Sequence, residues 1–231
     1  MCFPFALVLF DLDGTLVQTA PEICDAVNDT LLQFGHPQVE QAQVERWIGH
    51  GTTELLAQAW LTSTRQADLG QVRASAGFAV AMLEFKTYYQ RRCGTRSELY
   101  PHVREVLQAL RSADAKLALV TNKESVFAHR VLDMHALLPF FDAIICGDSL
   151  SSRKPDPQGV AHCMQRLGVQ PQHSLFVGDS CIDVATARAA AIAVWALPYG
   201  YNMGQPIGAC APDRVIPDLR ALLGPIGQTT G

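Results

Sequence analysis

The chain has 231 residues, 48% of them hydrophobic, and a formal net charge of −4. That length suits one large domain or a core carrying a smaller insertion, and the slightly acidic balance argues against nucleic acid or an anionic membrane as partner. The seven cysteines (Cys2, Cys24, Cys93, Cys146, Cys163, Cys181, Cys210) are scattered without a C-x-x-C pair, so they are expected as reduced, mostly buried thiols of a cytoplasmic protein, with no zinc site.

No basic segment precedes the first apolar run, and no run reaches membrane-spanning length, so neither a signal peptide nor a transmembrane helix is expected. Residues Phe5 to Phe10 are uniformly apolar, as in a strand buried on both faces of a parallel sheet. Thr19-Ala20-Pro21-Glu22 reads as a helix start, with Thr19 as N-cap and Glu22 closing a capping box, and the helix should stop near Gly35. From there to about Arg92 the chain looks entirely helical: Val39 to Ile48, Thr52 to Leu61, and a longer segment from Val72 to Arg92. In the last of these Phe78, Met82, Phe85 and Tyr89 recur at helical spacing, which predicts bundle core.

After Pro101 the texture changes to alternating helix and strand. Helices are expected over Val103 to Leu110, Glu124 to Met134, Pro157 to Leu167 (Asp156 as N-cap, Gly168 as C-cap) and Ile182 to Ala191. Strands are expected over Lys116 to Val120, Ala143 to Cys146, Leu175 to Val177, Ile192 to Ala196 and Arg214 to Ile216, and the tail from Gly224 is expected to fray. This order predicts an α/β protein with a doubly wound parallel sheet and right-handed crossovers. Residues 1–17 and 98–231 would form the core. Residues 18–97 would be an inserted all-helical cap on a two-stranded linker, Val17 to Thr19 with Gly94 to Tyr100.

Chemistry in such a sheet gathers outside the carboxyl ends of the strands. After the first strand come Asp11 and Asp13, whose side chains share a face if the chain stays extended. Two carboxylates that close repel unless a cation lies between them. After the next strands come Thr121 and Asn122, then Lys154-Pro155, then Gly178, Asp179, Ser180 and Asp183. This set suits phosphoryl transfer to a carboxylate: a divalent cation and a lysine offset the repulsion of two anions, and a second carboxylate handles the proton.

The four segments Asp11-Leu12-Asp13-Gly14-Thr15-Leu16, Val120-Thr121-Asn122-Lys123, Lys154-Pro155 and Gly178-Asp179-Ser180-Cys181-Ile182-Asp183 stand in the order and spacing of the haloacid dehalogenase superfamily, which the chain resembles over nearly its whole length. The helical insertion resembles that family's helical cap. The resemblance implies Asp11 as nucleophile and Asp13 as general acid/base, with Mg²⁺ held by Asp11, Asp179 and the backbone carbonyl of Asp13. It implies Thr121 and the backbone at Asn122 as phosphoryl ligands and Lys154 as counter-charge, with Asp183 supporting the metal site. Lys123, a rival among only four lysines, is expected to point to solvent, and Cys181 is expected to serve packing.

Asp13 argues for phosphate esters, since relatives cleaving carbon–halogen bonds lack it. A phosphonate-cleaving relative would need a Schiff-base lysine in the cap, and Lys86 in mid-helix is the only lysine there. Ile48-Gly49-His50-Gly51 resembles the cap loop of bacterial phosphoglycolate phosphatases, which places Gly49, His50 and Gly51 at the substrate; His50 departs from the asparagine common there. Leu197-Pro198-Tyr199-Gly200-Tyr201-Asn202 resembles the same subgroup and reads as a brace for the active-site edge. The expected activity is Mg²⁺-dependent hydrolysis of a small phosphorylated metabolite, foremost 2-phosphoglycolate, by a monomer or homodimer. The alternatives are a phosphatase of a sugar phosphate such as N-acetylmuramic acid 6-phosphate, a sugar phosphomutase, and a non-catalytic binding protein of the same fold.

Overall fold

Strand β1 (Leu7–Phe10) sits at the centre of the molecule, and its four residues are all buried. The computed structural model describes residues 4–64, 66 and 68–224, so the expectation of a frayed tail falls largely outside the described residues. The alternation of the strand explains its uniform apolarity. Leu7 and Leu9 pack on one side of the sheet with Val160, Val184 and Ala187, while Val8 and Phe10 pack on the other with Leu107 and Leu110. Burying a side chain of this size contributes roughly 1.5–3 kcal/mol, so a polar residue anywhere in β1 would be costly.

The helices α1 (Ala20–Gln33), α2 (Gln41–Glu45), α3 (Thr52–Ser63), α4 (Leu69–Ala74) and α5 (Ala76–Arg92) follow a short strand β2 (Val17–Gln18). The chain returns through β3 (Glu98–Leu99), which pairs antiparallel with β2 in the register Val17 to Leu99 and Gln18 to Glu98. The expected two-stranded linker is therefore present. The predicted helix over Val72 to Arg92 is broken in two at Ser75, whose backbone is extended and whose hydroxyl accepts from Phe78 N. Serine competes with the helix for its own backbone partners, and here it starts a new one.

From Val103 the alternation runs as read: α6 (Val103–Ser112), β4 (Lys116–Val120), α7 (Ser125–Met134), β5 (Ala143–Ile145), α8 (Gln158–Leu167), β6 (Ser174–Gly178), α9 (Cys181–Ala189), β7 (Ala193–Ala196) and β8 (Arg214–Val215). The sheet order is β5-β4-β1-β6-β7-β8, and every pairing in it is parallel. Chain order departs in both directions from β1, so β4 and β6 flank it. That makes the carboxyl end of β1 the switch point at which such sheets bind ligands. No described helix is long and apolar enough to cross a membrane.

Two sequence expectations fail locally. Thr19 does hold the N-cap position of α1, but it makes no side-chain cap hydrogen bond; its hydroxyl donates to Asp13 instead. Glu22 is fully buried, and its carboxylate accepts from Gly94 N and Ser97 N, tying α1 to the returning linker. Both side chains have partners distant in sequence that outcompete the local box. The third correction concerns the thiols. Cys24, Cys93, Cys146 and Cys163 are free and buried, but Cys181 and Cys210 form a disulfide with Cα atoms 5.3 Å apart. They are 29 residues apart, and only the packing of the α9 N-terminus against the turn at Ile207–Cys210 brings them together.

Candidate active site

Beyond Phe10 the chain leaves the sheet in a tight turn. Leu12 O accepts from the amides of Thr15, Leu16 and Val17, and Gly14 N donates to Val17 O. Gly14 adopts φ +88°, and a Cβ there would lie 2.3 Å from Asp179 Oδ2. Glycine is thus required twice over, for the backbone conformation and for the close approach of a carboxylate. Gly200 packs against the other side, where a Cβ would lie 2.2 Å from the same oxygen.

Asp179 ends up enclosed. Thr15 Oγ1 donates to its Oδ1, and Tyr201 N donates to its Oδ2 at 2.6 Å. Burial, then the charges of Asp183 and Asp11, push its pKa well above the usual carboxylate range. Asp11 lies beside it, 2.8 Å from Lys154 Nζ, yet its Oδ1 has no aligned hydrogen-bond donor. Burial raises its pKa to about 7, against the opposing charge of Lys154. Lys154 also donates to Asp183 at 2.7 Å. Burial works to lower the Lys154 pKa, but the two carboxylates win and hold it above its ordinary value.

Asp183 is fully buried beneath the site, where its Oδ2 accepts from the amides of Asp179 and Ser180 and from the Ser180 hydroxyl. It caps α9 and locks Asp179 in place. Oxygens of Asp11, Asp179 and Asp183 lie within 4.8 Å of one another. Against these three carboxylates stands one ammonium, Lys154. The surplus of negative charge and the all-oxygen donor set fit a hard divalent cation. Of this cluster, Asp11 and Asp179 line the pocket, whereas Asp183 does not.

The pocket above is lined by Asp11, Asp13, Thr121, Asn122, Lys154 and Asp179 together with Gly49 and Gly51. The sequence motifs single out each of these, and the fold brings them together. His50 is the exception among the loop residues: it is exposed and does not line the pocket. With φ +124° at Gly49 and +85° at Gly51, the loop bends so that its glycines face in and the side chain between them faces out. Asn122 joins this loop to the core by donating to Gly49 O at 2.8 Å and to Lys154 O at 2.9 Å. At the start of α3, Thr52 donates to Glu124, a second link of the same kind.

Lys123 is the clearest correction. It does not point to solvent; it is buried and donates to Asp13 Oδ1 at 2.8 Å and to the Tyr89 hydroxyl. Tyr89, assigned from periodicity to the bundle core, also lines the pocket. One signal was available: Lys123 follows Thr121 by two residues just beyond a strand end, so both can face one side. The bracing role expected of the Tyr-Gly-Tyr-Asn stretch is met. Tyr201 Oη accepts from Ala20 N at 3.0 Å, Tyr199 Oη donates to Thr15 O at 3.1 Å, and Asn202 Oδ1 accepts from Cys181 N at 2.8 Å.

Residues 8–197 match the haloacid dehalogenase-like hydrolase family. The chain belongs to that family. It is 41% identical over 217 residues to the phosphoglycolate phosphatase of Pseudomonas putida KT2440, covering 94% of this chain and 78% of that one. It is 38% identical over 219 residues to the phosphoglycolate phosphatase of Vibrio vulnificus, covering 94% of each. Among solved structures, one described as a predicted phosphoglycolate phosphatase from Haemophilus somnus superposes with a TM-score of 0.88 at 33% identity, over 95% of this chain and 97% of that one. The four motifs of the site lie within the matched span.

Proposed function

We propose that this hydrolase is a Mg²⁺-dependent phosphatase of small phosphate monoesters, with 2-phosphoglycolate as its substrate. The observation that carries the reading is a single pocket in which Asp11, paired with Lys154, sits beside Asp179 while Asp13 faces the same space. The names of the relatives support the choice of substrate. The insertion at 18–97 acts as a cap over a core formed by 1–17 and 98–231, and its Gly49–Gly51 loop closes over a small substrate.

In this reading Asp11 attacks phosphorus, the bond from phosphorus to the leaving oxygen breaks, and Asp13 protonates that oxygen. The product is an alcohol and an aspartyl-phosphate. Asp13 then takes a proton from water as the water attacks the same phosphorus, which releases phosphate and restores Asp11. Lys154 lowers the repulsion between Asp11 and the incoming anion, and Thr121 with the backbone at Asn122 holds phosphoryl oxygens. Mg²⁺, held by Asp11, Asp179 and the Asp13 carbonyl, would add charge stabilisation at the phosphoryl group. Asp183 keeps Lys154 and the Asp179 loop in position.

The test is Mg²⁺-dependent phosphate release from a panel of monoesters including 2-phosphoglycolate, N-acetylmuramic acid 6-phosphate and hexose phosphates. Preferential release from 2-phosphoglycolate, abolished in Asp11→Asn, is expected. No release from any ester would sink the reading, and preference for a sugar phosphate would change the substrate.

A further inference from the structure

Asp13 is held in an unusual way. Its Oδ1 takes two donors, Thr19 Oγ1 at 2.6 Å and Lys123 Nζ at 2.8 Å. Its Oδ2 takes no hydrogen bond among the described residues, while Asp13 lines the pocket and its side chain is 13% exposed. One oxygen is therefore pinned and the other left free for a reacting proton. Lys123 is pinned in turn. Its ammonium donates to the Tyr89 hydroxyl and lies 5.0 Å from the centre of that ring. Tyr89 is fixed by packing, with its ring 4.4 Å from Phe127 and 5.5 Å from Phe85. Burial disfavours the charge on Lys123, but Asp13, Cys93 and Glu22 around it hold its pKa above the ordinary value.

A lysine buried this deeply is costly unless its contacts are specific. An ion pair needed only for packing would not have to leave one carboxylate oxygen without a partner in a residue that lines a cavity. We propose that Lys123, held by Tyr89 from the helical insertion, is the positioning residue that aims Asp13 Oδ2 at the leaving-group oxygen. The inference rests on the phosphatase reading above and adds to it a residue outside the nucleophile, metal and phosphate sets.

Misaiming Asp13 has a signature that general loss of structure lacks. An alkyl leaving group must be protonated as its bond to phosphorus breaks, whereas acetate leaves acetyl phosphate without a proton. The parameter kcat/KM reports only the steps through formation of the aspartyl-phosphate, so it does not sense the later attack of water. Acetyl phosphate is also small, so the same pocket admits it.

Wild type, Lys123→Met and Tyr89→Phe should be compared on 2-phosphoglycolate and acetyl phosphate in Mg²⁺, with folding checked by circular dichroism. Lys123→Met is expected to lose about 10- to 100-fold in kcat/KM on the alkyl ester, part of the roughly 10²–10⁴-fold that a positioned acid supplies. On acetyl phosphate its kcat/KM should stay within about 3-fold while kcat and KM fall together, because water attack now limits turnover. Tyr89→Phe, which keeps the ring, should show the same pattern at about 3- to 10-fold and covers the case in which Lys123→Met fails to fold. Equal loss of kcat/KM on both substrates, or no loss on either, in a folded variant overturns the positioning role alone. A wild-type protein inert on both overturns the phosphatase reading and this inference with it.

Discussion

Lys154→Met is the sharpest probe of how the site is held together. The substitution keeps most of the buried stem, which lies over the Phe176 ring, and removes only the charge. Two ion pairs disappear, to Asp11 at 2.8 Å and to Asp183 at 2.7 Å, in a side chain only 3% exposed. At an effective dielectric of about 20, each pair is worth about 6 kcal/mol of Coulomb attraction before desolvation is subtracted. Breaking a buried pair from one side costs about 3–5 kcal/mol, because the partner charge is left uncompensated. For a chain of this size each kcal/mol shifts Tm by roughly 2–4 °C, so the metal-free variant should melt about 6–20 °C below the wild type. Thermal unfolding followed by circular dichroism in EDTA measures this, with Lys86→Met on the exposed face of α5 as control, expected within about 0.5 kcal/mol of wild type. Mg²⁺ should recover part of the loss, since it replaces one cation near Asp11 with another. A Lys154→Met protein melting with the Lys86→Met control would refute the account of the carboxylate cluster, whatever reaction the protein performs.

Wild-type protein should itself be stabilised by Mg²⁺, by about 2.7 kcal/mol or roughly 5–11 °C at a hundredfold excess over Kd, and Asp179→Asn should abolish that response. Gly14→Ala should destabilise the fold by about 1–3 kcal/mol and weaken Mg²⁺ binding in a calorimetric titration, because φ +88° and a 2.3 Å approach to Asp179 both exclude a Cβ; unchanged binding would mean that Asp179 moves freely. The Cys181–Cys210 bridge closes a loop of 29 residues, for which loop entropy predicts about 3–4 kcal/mol. Reductant should therefore lower Tm, and the unreduced chain, denatured, should titrate two fewer thiols than the reduced one; equal thiol counts would remove the bridge.

The alternation of apolar strands and amphipathic helices after Pro101 was legible because each of these elements is buried by its own period. A strand enclosed on both faces must be apolar throughout, as β1 is, and the run of helices from Ala20 to Arg92 announced itself by its change of texture. The motif residues were legible for a related reason. Chemistry at a strand's carboxyl end needs particular groups immediately after that strand, so Asp11, Thr121 and Asp179 each stand next to the element that positions them.

Residues whose partners come from elsewhere in the chain could not be read this way. Thr19 and Glu22 looked like a local capping box, yet one serves Asp13 and the other the returning linker. From sequence Lys123 reads as solvated, because nothing near it shows Tyr89 arriving from α5 to enclose it. His50 stood in a suggestive loop, but two positive φ angles turn it outward. The Cys181–Cys210 pairing is decided by packing alone. Fold class, element order and the groups at the strand ends can be read from the chain alone, because periodicity and adjacency are properties of the chain. Which buried charges meet, and which residues line the pocket, depends on the folded arrangement, because Coulomb and steric terms act over ångströms of space and are blind to sequence separation.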